Sequence, residues 1–247
     1  MKDSNVTPFP KEKSDQNRSI GTNLKSFEVS QYVIDGQQRL TSLYAVTTGE
    51  PVINSDFNLT QSYNISPGQD VNIILSYKFE NYLLSSNWGY NFINSKTQNN
   101  QSVINSRIET INSKLLFRDS FLKRKCIIPA NGYFEWSQNE GEKKPYFIQL
   151  GAGELIYFAG VWRKEKYNDD KRRVFSIITK AANSNINKIH DRMPVVLNAN
   201  SAQDYLELKD DNLDFNNFDD VDLKFSEVSK YVNSPKNNDE KCIATIN

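Results

Sequence analysis

Cys126-Ile127-Ile128-Pro129-Ala130-Asn131-Gly132-Tyr133-Phe134-Glu135-Trp136 is the stretch on which the fold turns. Both ends are built from apolar and aromatic residues that favour strands. Asn131-Gly132 between them is a strong tight-turn dipeptide, so the stretch predicts two short strands, Cys126–Pro129 and Tyr133–Trp136. The same texture continues downstream in Tyr146–Leu150, Leu155–Trp162 and Val174–Thr179. Upstream, Val71–Ser76 and Val103–Ile111 are further strand candidates, the first preceded by a Pro67-Gly68 turn. Helical segments are few and short. Ser120–Lys125 reads as a helical turn, Asn183–His190 as a short helical segment, and Ser201–Leu208 as a helix capped by Ser201. Residues 210–222 are acidic and loop-like, and Phe225–Val232 reads as a last strand. Strands dominate, so the expected class is α+β: a compact, mainly antiparallel sheet or barrel with short helices.

The N-terminal part has another character. Residues 1–30 are polar and mix both charge signs, as a flexible lead does. Gln31–Ile34 reads as a strand, Asp35-Gly36 as a turn, and Gln37–Thr48 as a helix with Leu40, Leu43 and Tyr44 on one face. Gly49 ends that helix, and Pro51 stands just beyond it.

Composition narrows the function classes. Among 247 residues, 30 Lys+Arg balance 30 Asp+Glu, so a wholly basic nucleic-acid packager is excluded while a local basic face is not. Two cysteines, Cys126 and Cys242, are too few for a disulfide scaffold or a four-thiolate zinc site. His190 is the one histidine, so neither a His-rich metal site nor a cofactor is implied. No apolar run approaches the ~20 residues that cross a bilayer, and the N-terminus lacks a secretory apolar core. The expectation is a cytoplasmic, monomeric protein.

Three clusters carry candidate chemistry. Asn105, Arg107 and Glu109 alternate along a predicted strand and would share one face, as a site or as a solvated surface. Glu135 lies between Phe134 and Trp136. Burial there would raise its pKa and suit it to acid/base work, whereas simple alternation would turn it to water. His190-Asp191-Arg192-Met193-Pro194 offers a proton shuttle and a guanidinium fork suited to phosphate. Trp88 and Trp136 near these arginines suit stacking of single-stranded bases, or else belong to the core.

Taken in order, these motifs resemble the SRAP family, the SOS-response-associated, abasic-site-processing proteins. The resemblance covers about residues 60–240. It rests on Tyr63-Asn64-Ile65-Ser66-Pro67, Trp88-Gly89, Asn105 to Thr110, Cys126 to Trp136, Lys144-Pro145-Tyr146, Phe158 to Trp162 and His190 to Pro194. It implies single-stranded DNA carrying abasic sites as the partner. In that family a terminal cysteine, uncovered by removal of the initiator Met, closes a thiazolidine with the opened sugar. The resemblance assigns Asn105 to orienting the sugar, Glu135 to acid/base work and His190 to imine chemistry and ring opening. It assigns Arg107 and Arg192 to phosphates, and Pro67, Trp88 and Trp136 to packing against nucleotides. The family also carries an older peptidase label.

This chain departs from the pattern at its start. Met1 is followed by Lys2, and no cysteine occurs before Cys126, so the crosslink is expected to be lost. In the corresponding place, Asp35-Gly36-Gln37-Gln38-Arg39 resembles the DGQQR motif of GmrSD-type restriction proteins, whose N-terminal domain is ParB/sulfiredoxin-like. That resemblance covers about residues 25–56, too little to close a core of its own. The expected organisation is a lead over 1–30, a partial DGQQR fragment over 31–59, and a SRAP-like domain over 60–247 lacking its first strand. The alternative is a non-catalytic, defence-associated interaction protein or a chimeric gene product.

Overall fold

The computed structural model describes residues 33–34, 40–42 and 62–246, apart from 78–79, 94–96, 138–140, 152–154, 169 and 208–220. The first elements are β1 (Val33–Ile34), β2 (Leu40–Ser42), β3 (Asp70–Tyr77), β4 (Glu80–Trp88), β5 (Tyr90–Ile93), β6 (Asn100–Val103) and β7 (Asn105–Arg107). Helix α1 (Leu115–Lys123) follows, then β8 (Lys125–Trp136), β9 (Pro145–Gln149), β10 (Ile156–Tyr167) and β11 (Asp170–Ala181). The chain continues with β12 (Arg192–Pro194), β13 (Val196–Leu197), helix α2 (Ala199–Glu207) and β14 (Lys224–Glu227).

Strand β10 pairs with β11 on one side and β8 on the other. β11 pairs with β4, β4 with β3, and β3 with β8, so the sheet closes into a barrel. Closure removes the sheet edges that would otherwise invite association. The far half of β8 leaves the ring and pairs with β9, which carries β14. The expected mainly antiparallel barrel is therefore present, with β11–β4, β11–β7 and β1–β8 as parallel pairs.

Alternation decides what fills the barrel. Ile73, Trp88, Cys126, Ile128, Phe158, Phe175 and Ile177 point inward and are fully buried. The opposite faces of β10 and β11 present Val161, Val174 and Ile178 to Phe117 and Phe121 of α1 and to Ala202 and Tyr205 of α2. A third cluster joins Tyr63, Phe134, Phe147, Val228, Val232 and Cys242, so the C-terminal segment covers the outer face of β8 and β9.

Asn131-Gly132 makes a bulge rather than the expected tight turn. β8 runs unbroken through it. The ladder to β10 ends at Ala130 and the ladder to β9 begins at Gly132, so neither takes Asn131. Before the bulge, Cys126, Ile128 and Ala130 face the barrel core; after it, Tyr133 does. Alternation has slipped by one residue, as a bulge requires. Gly132 is needed because a Cβ there would stand 2.4 Å from the Ile148 carbonyl oxygen and from the Phe147 ring.

Other expectations are corrected in detail. Leu40–Ser42 is a strand pairing with β8, not part of a helix, because β8 offers it a ladder. Val103–Ile111 is not one strand: Glu109 sits in a 3₁₀ turn, Ile108–Thr110, and does not share a strand face with Asn105 and Arg107. Asn198, not Ser201, caps α2, its Oδ1 accepting from the Ser201 amide at 2.9 Å. Asp35, Gly36, Gln37, Gln38 and Arg39, the lead over 1–30 and the boundary between residues 59 and 60 lie outside the described residues.

Candidate functional site

The candidate residues gather where β11 ends. β7 lies parallel to β11, with Asn105 beside Ile177 and Arg107 beside Thr179. β12 lies on the other side of the same stretch, with Pro194 beside Thr179 and Arg192 beside Ala181. Asn105 is held from the residue before it. The Ile104 carbonyl accepts from the Trp88 indole Nε1 at 3.1 Å and from the Ile177 amide at 3.0 Å. Asn105 Oδ1 is buried and accepts no hydrogen bond among the described residues. A buried acceptor left in that condition costs free energy, so it is a natural place for a ligand donor. Arg107, next but one, is exposed, and its guanidinium makes no hydrogen bond or ion pair among the described residues.

Arg192 is committed differently. Nη1 and Nη2 reach Glu109 Oε1 and Oε2 at 2.6 and 3.0 Å, and Nη2 also donates to the Thr179 carbonyl at 2.8 Å. The hydrogen bond from Arg192 holds the Glu109 carboxyl below its usual range. The fork that the sequence offers to phosphate is thus closed on an internal carboxylate. Thr179 and Glu109 were not legible in this role; a Glu two residues after Arg107 is the one trace the sequence carries.

His190 stands at the entry to β12. Its Nδ1 accepts from the Arg192 amide at 3.0 Å and lies 3.1 Å from Asp191 Oδ1. The same Nδ1 lies 3.2 Å from the Arg192 carbonyl oxygen, so it donates or accepts according to the tautomer. The turn bearing His190 is pinned by Asn183 Oδ1, which accepts from the Ile186 amide, and by Asn185 Nδ2, which donates to the Leu223 carbonyl.

Glu135 is 3% exposed, so it does not face water. Its flanking aromatics are not what surrounds it. Phe134 belongs to the outer cluster and Trp136 packs edge-on against it at 6.3 Å. The bulge turns Glu135 to the same face as Tyr133. Burial, and then the charge of Glu135, push the Tyr133 hydroxyl well up. Tyr133 shares one core cluster with Ile177 beside Asn105 and with Ile189 and Met193 around the His190 turn.

The nucleotide-packing candidates divide. Trp88 is fully buried and stacked on Phe175 with centroids 6.2 Å apart, so it is a core residue that fixes the Ile104–Asn105 backbone and not a surface for bases. Trp136 is half-buried, its Nε1 donating to Asn233 Oδ1 at 2.9 Å. Pro67 is half-buried, and Gly68 after it donates to the Trp88 carbonyl, level with Phe175 rather than Thr179. Among the described residues, no group of three His, Cys, Asp or Glu side chains is placed to hold a metal ion. None of the described helices is long and apolar enough to cross a membrane.

The family model of the SOS response associated peptidase, SRAP, matches residues 32–235. The abasic site processing protein YoqW of Bacillus subtilis is 33% identical over 192 residues, which cover 74% of this chain and 85% of YoqW. The abasic site processing protein YedK of Escherichia coli is 31% identical over 145 residues, 58% of this chain and 64% of YedK. A crystal structure of a Bacteroides thetaiotaomicron protein superposes with a TM-score of 0.61 at 24% identity, covering 72% of this chain and 82% of that one. With the family model spanning most of its length and relatives of this similarity, the chain belongs to the SRAP family.

Proposed function

We propose that this protein recognises abasic sites in single-stranded DNA in the DNA-damage response, and binds them without a lasting covalent bond. The observation that carries this reading is the buried, unsatisfied Oδ1 of Asn105 two residues from the uncommitted guanidinium of Arg107. An opened abasic sugar offers hydroxyls to such an acceptor, and its flanking phosphate offers charge to such an arginine. Glu135 supplies a buried carboxylate for proton transfer, and His190 supplies an imidazole. Trp136 offers an aromatic edge to a flanking base. Arg192 meets a phosphate only by exchanging Glu109 for it. The names of YoqW and YedK, abasic site processing proteins, support the lesion assignment.

The two cysteines of the sequence speak against thiol chemistry. Cys126 and Cys242 are both fully buried, and burial pushes the Cys126 thiol well up. Neither thiol is exposed, and a reactive thiol must be both ionised and accessible. In this reading residues 60–247 are the working domain, residues 31–59 add no independent activity, and the protein acts as a cytoplasmic monomer.

Fluorescence anisotropy with single-stranded oligonucleotides tests the proposal. One abasic site should tighten binding at least about tenfold over an undamaged strand, and affinity should fall with salt as phosphate contacts release counterions. Equal affinity for damaged and undamaged strands would remove abasic-site recognition.

A further inference from the structure

The β10–β11 hairpin extends beyond the barrel at the end away from Asn105. In its register Lys164 is directly opposite Arg173, and Lys166 directly opposite Lys171. Directly opposed residues share a face, as do residues two apart, so these four cations form one ladder. Like charges placed opposite each other destabilise a hairpin, so this is not an arrangement that folding favours. The other face is neutralised in the ordinary way. There Arg163 reaches Glu165 at 2.6 Å and Arg172 reaches Asp70 at 2.8 Å.

Within the ladder, Arg173 is anchored, donating to the Ser85 carbonyl at 3.1 Å and lying over the Trp162 ring. Lys164, Lys166 and Lys171 are exposed and have no ion pair among the described residues. Burial, and then the charges of Arg173 and Lys171, hold the Lys164 ammonium below its ordinary value. A cleft of about 560 Å³ between the hairpin and α1 is bordered by these three lysines. Its acidic members are already taken: Asp119 by Lys123 and Arg124, Glu165 by Arg163.

We infer that the Lys164–Lys166–Lys171 face is a second nucleic-acid contact, which holds the phosphodiester backbone of the strand beyond the lesion. Regularly spaced ammoniums without carboxylates match a regularly charged polymer better than a single small anion. The inference rests on the nucleic-acid reading of the Asn105 site and extends it. From Lys171 to Thr179 is eight positions along β11, about 26 Å at ~3.3 Å per residue. That is several nucleotides of single strand, so a short strand with its abasic site at the centre, held at Asn105, falls short of the ladder.

The test compares the full chain with the triple variant Lys164→Gln, Lys166→Gln, Lys171→Gln on two single-stranded probes, each with one abasic site. One probe is about 5 nucleotides long and the other about 25. For the long probe the variant should bind about tenfold more weakly, and its salt slope should be smaller by about 2, at ~0.7 per phosphate. For the short probe the variant should match the parent, and its melting temperature should not fall. Unchanged binding of the long probe, or an equal loss on both probes, would overturn the second contact while leaving the Asn105 site standing. Failure of the parent to bind either probe would overturn both. Should the triple variant fold poorly, Lys166→Gln alone should reduce the long-probe slope by ~0.7, and no reduction would overturn the inference.

Discussion

Arg192 and Glu109 form a two-armed ion pair, Nη1 to Oε1 at 2.6 Å and Nη2 to Oε2 at 3.0 Å, that ties β12 to the turn after β7. The pair fastens the segment bearing Asn105 and Arg107 to the segment bearing His190. It also keeps a guanidinium at the site from meeting an outside anion. Glu109 is about half exposed, so the pair contributes no more than about 1 kcal/mol to stability.

Glu109→Gln is therefore expected to cost little stability and to release Arg192. Single-stranded DNA should bind up to about fivefold more tightly, the equivalent of ~1 kcal/mol for one surface charge. Anisotropy measures this, and weaker binding by the variant would show that the pair is needed as a brace rather than as a lock. The stability difference has a defined pH dependence. Arg192 lowers the folded pKa of Glu109, so the folded state favours the ionised form. The pair's contribution is complete above the unfolded carboxyl value, about 4.3, and is lost as pH falls through the lower folded value. Melting temperatures of parent and variant should differ at about neutral pH and draw together as pH falls below the ordinary carboxyl range.

Asn105→Ala separates function from folding. The parent buries Oδ1 without a partner, a condition worth about 1–3 kcal/mol of destabilisation. Removing it should leave the melting temperature unchanged or raise it by a few degrees, at about 2–4 °C per kcal/mol. The preference for abasic over undamaged strands should disappear in the same variant. A clear fall in melting temperature with the preference intact would make Asn105 a structural residue.

Gly132→Ala tests the bulge that turns Glu135 inward. The added Cβ meets a backbone oxygen, Ile148 O, so relief requires β8 and β9 to separate. Overpacking of this kind costs about 1–3 kcal/mol. Thermal melts should show a loss of several degrees, and abasic-site preference should weaken with it because Glu135 moves. An unchanged melt would mean that the close approach of β9 is not needed.

How much of this was legible in the sequence follows from the range of each cause. Asn105 and Arg107 sit in a short motif whose extended backbone depends on neighbouring residues and can be read locally, whereas the inward turn of Glu135 follows from the bulge. Trp88 could not be read so: whether it faces bases or the core depends on Phe175, far along the chain on β11. The same holds for Arg192, whose partner Glu109 is brought up by the pairing of β7 with β11. Asn131-Gly132 was misread for a subtler reason. The dipeptide permits a turn, but β8 is held straight by β10 up to Ala130 and by β9 from Gly132, and a bulge satisfies both ladders. The ends of β10 and β11 were missed because their charged residues lack the apolar texture of a strand. The hairpin ladder, not the side chains, carries them.

Burial of both thiols leads to the last prediction. Cys126 lies in the barrel core, where Gly160 lets it approach β10, and burial pushes its thiol well above the ordinary value. Cys242 is fully buried under the C-terminal segment, its Sγ 3.5 Å from the Asn237 carbonyl oxygen. A thiol must be ionised and accessible to attack the aldehyde of an opened abasic sugar. The native protein should therefore leave a disulfide-exchange reagent such as dithiobis(nitrobenzoate) unreacted, while both thiols react in guanidinium chloride. Incubated with an abasic single strand, it should give a complex in native gels and none after heating in denaturant. A heat-stable adduct that persists in Cys126→Ala and in Cys242→Ala would mean that another nucleophile of the chain takes the cysteine's part. An adduct lost in either variant would mean that the buried thiol becomes exposed when DNA binds.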